Sequence, residues 1–157
     1  MGEQSLPITV QHASLKDLET LYKIEKRCFT HEAFSKEQIA HFLKASNAVS
    51  LMAQVDSETV GFITGLIEQY GKTRICHIYT IDVVSKYRRT GVGLKLLEEI
   101  EKNFMKKGAE ACFLEVRINN LAARKLYQKH GYIELGKLKN YYARGIHGIQ
   151  LKKKLKT

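Results

Sequence analysis

The stretch HIYTIDVVSKYRRTGVGLKLLEEI, residues 77–100, decides the fold. Up to Val84 it is rich in β-branched and aromatic residues, which fit a pleated, half-buried surface, so it reads as an interior strand. From Val92 onward Leu97, Ile100 and, further on, Phe104 recur at helical spacing, and Gly108 ends that helix. Between them stands Arg88-Arg89-Thr90-Gly91-Val92-Gly93. Two glycines let the backbone turn tightly, and the helix that follows offers unpaired N–H groups and a positive dipole end. Strand, glycine turn and helix together form an anion-binding connection suited to a pyrophosphate, with Arg88 and Arg89 adding charge. A dinucleotide fingerprint needs a third glycine where Leu96 stands, and no G-x-x-x-x-G-K-[ST] loop is present.

Outward from this unit, period 2 and period 3.6 alternate. Ala111 to Arg117 reads as the next strand, pairing in parallel with the first across the helix. Upstream, Val49–Val55, Thr59–Glu68 and Arg74–Val84 read as consecutive antiparallel strands, turned at Asp56-Ser57-Glu58 and Tyr70-Gly71-Lys72. Before them come a strand over Ile8–His12 and a helix opened by Ser14, with Leu18, Leu21, Tyr22, Ile24, Cys28 and Phe29 as its buried stripe. A shorter helix with Ile39, Phe42 and Leu43 is opened by the capping box Ser35/Gln38. Downstream, Asn120 caps a helix carrying Ala123, Leu126, Tyr127 and His130, and short strands follow near Tyr132–Leu138 and Ile146–Leu151. The order β-α-α-β-β-β-α-β-α-β-β describes a mixed sheet with helices on it, α/β or α+β. A chain of 157 residues suits a single domain, 1–157, with one sizeable core.

Composition narrows the classes. The first ten residues lack a basic region followed by an apolar core, and the longest apolar runs, such as Val60–Ile67, are too short to span a bilayer. No membrane partner is expected. Cys28, Cys76 and Cys112 sit in apolar runs without a Cys-x-x-Cys pair, and read as reduced, buried thiols of a cytoplasmic protein. The six histidines lack ligand spacing, so no metal is expected. The formal net charge of +10 suits a nucleic acid, a polyanionic cofactor or mere solubility, and charge alone does not choose among them.

Longer motifs do choose. Arg88-x-x-Gly91-x-Gly93 matches [QR]-x-x-G-x-[GA], the coenzyme A signature of the GNAT superfamily of N-acetyltransferases. FLEVRINNLAARKLYQKHGY, Phe113–Tyr132, resembles that superfamily's second block through Leu114, Glu115, Val116, Arg117, Asn120, Ala123, Leu126, Tyr127 and Gly131. Lys139-Asn140-Tyr141-Tyr142-Ala143-x-Gly145 is similar to the K-x-Y-Y-x-x-G loop of the ribosomal-protein alanine and archaeal N-terminal acetyltransferases. The resemblance implies a GNAT-like mixed, mostly antiparallel, seven-stranded sheet flanked by about four helices. It implies acetyl-coenzyme A as cosubstrate, with backbone N–H groups from Arg89 through Thr90, Gly91, Val92, Gly93 and Leu94 to Lys95 on the pyrophosphate. Arg88 lies beside that cradle, Val83 and Val84 would meet the pantetheine arm, and Asn120 and Tyr127 would also contact the cofactor.

For the chemistry, the resemblance implies that Glu115 is the general base, with His77 as a second candidate, and that Tyr127 is the general acid. A carboxylate in an apolar strand is expected to have its pKa raised by desolvation. A phenol at about 10 can protonate a thiolate as basic as cysteine, about 8.5. Direct attack by the amine is expected, without a covalent intermediate. An α-amine at about 8 is neutral roughly a tenth of the time at pH 7, and a lysine at about 10.4 only about once in a few thousand. A modest base therefore favours a protein or peptide N-terminus, ribosomal proteins among the candidates, over the competing lysine or polyamine. Phe29, Tyr141 and Tyr142 would grip this acceptor. The reading from another class, a nucleic-acid-binding domain, lacks aromatic–basic interleaving, which leaves only non-specific contact. Sequence leaves monomer and homodimer equally open.

Overall fold

The computed structural model describes residues 7–30 and 32–155. Its strands are β1 (Thr9–His12), β2 (Ala48–Val55), β3 (Glu58–Tyr70), β4 (Thr73–Val83), β5 (Ala109–Arg117), β6 (Ile133–Ala143) and β7 (Ile146–Lys154). Its α-helices are α1 (Leu18–Cys28), α2 (Lys36–Lys44), α3 (Val92–Lys106) and α4 (Leu121–Lys129). The strands form one seven-stranded sheet in the order β1-β2-β3-β4-β5-β7-β6. The expected parallel pair is β4 with β5, while β1–β2, β5–β7 and β6–β7 are antiparallel. This is the mixed, mostly antiparallel sheet with four helices that the motifs implied.

Local signals carried over with small changes. Ser35 Oγ accepts the Gln38 N–H at 3.1 Å and Gln38 Oε1 accepts the Ser35 N–H at 2.8 Å, the reciprocal cap that starts α2. At Ser14 only half of such a cap forms, its N–H donating to Asp17 Oδ2 at 2.9 Å while the Asp17 N–H donates to Ser14 O at 2.8 Å, and a three-residue 3-10 turn, Leu15–Asp17, precedes α1. Asp56 and Ser57 both take positive φ, 51° and 67°, as a tight hairpin between β2 and β3 requires.

The described residues fall into two compact units. The first holds residues up to Thr64 together with Thr80–Ile100. Its core gathers Leu21, Ile24, Ile39, Met52 and Phe62, with Phe34, Tyr22 and Cys28 packed against them. The second holds Gly65–Tyr79 and the chain from Glu101 onward. Here Phe104, Leu114 and Leu151 are fully buried.

Two expectations are corrected. Cys76 and Cys112 are not reduced: their sulfurs are bonded, leaving Cys28 as the free thiol. The parallel register sets Cys76 directly opposite Cys112, with Cα atoms 4.7 Å apart, inside the span a disulfide needs. Thirty-six residues separate the pair, so only the strand pairing reveals the contact. The last two strands are also longer than expected, because β6 continues through the Tyr-Tyr loop. Its register against β7 shifts between Leu138 and Ala143, so residues 139–142 bulge from the ladder. Asn140 takes φ 54° there, its Oδ1 accepting the Gly145 N–H at 2.7 Å and its own N–H donating to His147 Nδ1 at 2.8 Å.

Candidate active site

In the first unit, β4 runs into a short 3-10 turn, Ser85–Tyr87, and then the glycine turn. Arg89 and Gly91 both take positive φ, 63° and 94°. A Cβ on Gly91 would meet nothing within 4 Å, so its glycine serves backbone conformation and leaves open space over the turn. Arg88 to Gly91 are exposed, and α3 begins at Val92, with Lys95 N–H donating to Gly91 O at 3.0 Å as the first helical bond. The N–H groups before Lys95 are the ones a helix start leaves without intrahelical partners. The Thr90 hydroxyl folds back onto Tyr87 O. Arg88 Nε donates to Val83 O at 3.2 Å, and Lys95 Nζ pairs with Glu99 at 3.3 Å. Val84 is already spoken for on both sides: its N–H donates to Val60 O and its C=O accepts from Tyr87, each at 2.9 Å. An open glycine turn at a helix start, rimmed by arginine, fits a diphosphate.

In the second unit, three predicted residues meet on one sheet face. The β4–β5 register puts His77 opposite Phe113, so Glu115, two residues along, shares the face of His77. His77 Nε2 lies 2.7 Å from Glu115 Oε1. The antiparallel β5–β7 register sets Gln150 opposite Glu115, and Gln150 Nε2 donates to Glu115 Oε2 at 3.3 Å. The bulge in β6 carries Tyr141 over this pair, and its hydroxyl donates to Glu115 Oε1 at 3.2 Å. Tyr142 stands edge-on to Tyr141, centroids 4.9 Å apart. Gly148 admits both rings, since a Cβ there would come within 3.3 Å of Tyr141 and Tyr142.

The electrostatics correct the sequence expectation for Glu115. Burial does push its carboxyl up, but the bond and charge of His77, with the bonds from Gln150 and Tyr141, outweigh burial and hold it below the usual carboxylate range. Burial and Glu115 in turn push the Tyr141 phenol up to about 12, so it stays a hydrogen-bond donor.

Sequence reasoning missed Glu68, Tyr79 and Gln150. Glu68 Oε1 lies 3.9 Å from His77 Nδ1 and accepts the Tyr79 hydroxyl at 3.1 Å. The Tyr79 ring stacks on His77 with centroids 4.3 Å apart. Period 2 along β4 already put His77 and Tyr79 on one face; the cross-strand partners Glu68 and Gln150 needed the register.

The other predicted residues have separate surroundings. Tyr127 is nearly buried in α4, its ring 6.0 Å from that of Tyr132. Asn120 caps α4, Oδ1 accepting the Ala123 N–H at 3.1 Å. Phe29, in the first unit, ends α1 half-buried in extended conformation.

Residues 18–132 match the Acetyltransferase (GNAT) family. The N-alpha-acetyltransferase of Sulfurisphaera tokodaii is 33% identical over 146 residues, which cover 87% of this chain and 86% of that protein. The crystal structure of Ard1 from Thermoplasma volcanium superposes with TM-score 0.84 at 25% identity, covering 96% of this chain and 99% of that one. The ribosomal-protein-S18-alanine N-acetyltransferase from Escherichia coli shares the fold, with TM-score 0.81 at 24% identity over 96% of this chain and 95% of that one. Among the described residues, no helix is long and apolar enough to cross a membrane.

Proposed function

The chain belongs to the acetyltransferase (GNAT) family, and from that premise we propose that it moves the acetyl group of acetyl-coenzyme A onto the N-terminal α-amine of a protein. The acceptor rests on the relatives named N-alpha-acetyltransferase and on the paired Tyr141 and Tyr142 beside Glu115. Ribosomal proteins are among the acceptors to test.

The cosubstrate's diphosphate is held by main-chain N–H groups between Arg89 and Lys95, a role supported by the open Gly91 turn. Val83, Val84 and Asn120 are its further contacts, Val84 through its side chain because its backbone groups already pair with Val60 and Tyr87, and Asn120 while keeping its cap.

One observation carries the base: the 2.7 Å contact between His77 Nε2 and Glu115 Oε1. A carboxylate held low is a poor proton acceptor on its own. In a neutral imidazole facing a carboxylate, the nitrogen on the carboxylate carries the proton, and the other nitrogen presents its lone pair. Glu115 and His77 therefore act as one base, with Glu115 orienting the ring and His77 Nδ1 taking the amine proton, the carboxylate–histidine logic of other acyl transfers. The freed amine attacks the thioester carbonyl, the C–N bond forms, the C–S bond breaks, and Tyr127 gives its phenolic proton to the departing thiolate; the extra proton on the new amide nitrogen leaves to solvent, and solvent returns a proton to the Tyr127 phenolate. Tyr141 and Tyr142 hold the acceptor backbone, and Phe29 packs against its first side chain.

The test is incubation with acetyl-coenzyme A and a panel of N-terminal peptides, internal-lysine peptides and polyamines, read by mass spectrometry. Acetyl on α-amines is the expected product. Acetyl on lysine or polyamine alone overturns the acceptor, and no product on any amine overturns the activity.

A further inference from the structure

Thr80, Asp82 and Glu25 in the first unit form a cluster the reaction does not use, and their protons can be counted. Asp82 is 1% exposed and Glu25 0%. The Thr80 hydroxyl oxygen is 2.9 Å from Glu25 Oε1 and 2.5 Å from Asp82 Oδ1. A hydroxyl has one proton, so it donates to one of these oxygens only. The other contact is repulsive unless that carboxyl carries a proton and donates to the Thr80 oxygen. Asp82 is the group that fits. Its Oδ2 is buried with no hydrogen-bond partner among the described residues, a situation that costs far more for a carboxylate than for a neutral acid. Glu25 is satisfied as an anion, because its Oε2 accepts the Phe34 N–H at 3.0 Å. The resulting chain runs from the Asp82 O–H to the Thr80 oxygen, from the Thr80 O–H to Glu25 Oε1, and from the Phe34 N–H to Glu25 Oε2.

We propose that Asp82 is a buried carboxylic acid and a positioning residue, a one-proton latch that acts through Thr80 and Glu25 to hold Phe34 and the connection between α1 and α2. That connection begins at Phe29, so the latch reaches catalysis through the acceptor contact proposed above and in that respect rests on it. The groups around the pair agree with one shared proton. Burial raises the Asp82 carboxyl, and the adjoining Glu25 raises it further; burial raises Glu25 too. Cys28 from α1 sits beside them with its thiol pushed up to about 11, chiefly by burial, and Glu32 from the connection also acts on Glu25. Arg88, after β4, is the cation that bears on Cys28.

When the latch opens at alkaline pH, the Asp82 O–H bond breaks and its proton passes to hydroxide. Two buried carboxylates then compete for one hydroxyl proton. In an opened connection Asp82 meets water and titrates as an ordinary carboxylate. Between that range and its raised value in the closed state, each pH unit favours opening by about tenfold.

The experiment follows exchange of the Phe34 amide from pH 5 to 10 in the wild type and in Asp82→Asn. The asparagine NH2 donates to Thr80 as the acid O–H does, but does not titrate. The ratio of wild-type to variant exchange is expected to climb about tenfold per unit and then level off. A flat ratio overturns the latch. An infrared spectrum of wild-type protein carrying 13C-aspartate needs no variant: a protonated-carboxyl band at pH 7 is expected, and its absence refutes the proposal even where Asp82→Asn fails to fold. The kcat/KM ratio of wild type to variant, for a peptide acceptor, is expected to fall along the same pH course. A climbing exchange ratio with a flat kinetic ratio leaves the latch standing and removes this connection from the acceptor site.

Discussion

Breaking the Cys76–Cys112 disulfide changes stability by an amount that its place in the chain fixes. The bridge closes a loop of 36 residues. Chain-entropy bookkeeping for a loop of that length gives about 4 kcal/mol of stabilisation. In a chain of this size each kcal/mol moves the midpoint by about 2–4 °C, so Cys76→Ala/Cys112→Ala is expected to unfold about 10 °C lower than wild type. Both cysteines are 0% exposed, so reductant reaches them only when the sheet opens, and reduction of native protein is expected to be slow. The assay is thermal unfolding of wild type and double variant, beside intact mass after alkylation in denaturant. Without reductant only Cys28 alkylates; with reductant all three cysteines do. Three alkylated cysteines in unreduced protein, or a midpoint within about 2 °C of wild type in the double variant, would refute the argument.

Gly91→Glu is expected to abolish binding of coenzyme A while leaving the fold intact, since φ 94° strains any side chain and a carboxylate would face the diphosphate; isothermal titration checks it, and unchanged affinity removes the turn from the site. Tyr127→Phe is expected to lower kcat by about 10²–10⁴ with little change in cofactor affinity, and wild-type turnover takes the phenol out of the mechanism. Glu115→Gln is expected to lower kcat over a similar range, about 10²–10⁴, because the ring of His77 loses its orienting charge. The same carboxylate predicts acid lability. Its folded value is lowered, so it stabilises the fold above the unfolded carboxylate range, and that contribution disappears as pH falls through the lowered value. Urea midpoints measured from pH 7 down to pH 3 are therefore expected to fall more steeply for wild type than for Glu115→Gln, and parallel curves contradict the lowered carboxyl.

The elements were legible wherever a signal is local. The Ser35/Gln38 box, the glycine turn before α3 and the Asn120 cap are written within a few residues, and each appears where it was read. What depends on register was not legible. The Cys76–Cys112 bond, the pairing of Gln150 with Glu115 and the approach of Glu68 to His77 each join residues on different strands. The expected rise at Glu115 failed for the same reason. An apolar strand speaks for desolvation, but the donors that overcome it come from β4, β6 and β7. Length was misjudged in β6 because a bulge, unlike a turn, lets the strand resume beyond Tyr142.

Alternation along β4 explains why fold and chemistry are hard to separate in this chain. Cys76, Ile78, Thr80 and Asp82 are buried, while His77, Tyr79, Ile81 and Val83 are only half-buried. The first set makes the disulfide and the carboxyl–hydroxyl cluster; the second supplies the proposed base and the ring stacked on it. A slip of one residue would exchange the sets, sending His77 into the core and Asp82 towards solvent. The disulfide joins β4 to β5 at directly opposed residues, next to the His77–Phe113 pair and three residues before Glu115. A covalent bond there pins the register that sets His77 Nε2 against Glu115. Its loss therefore touches more than stability: the ring–carboxylate geometry then depends on backbone pairing alone, and a pair proposed to act as one base tolerates little drift.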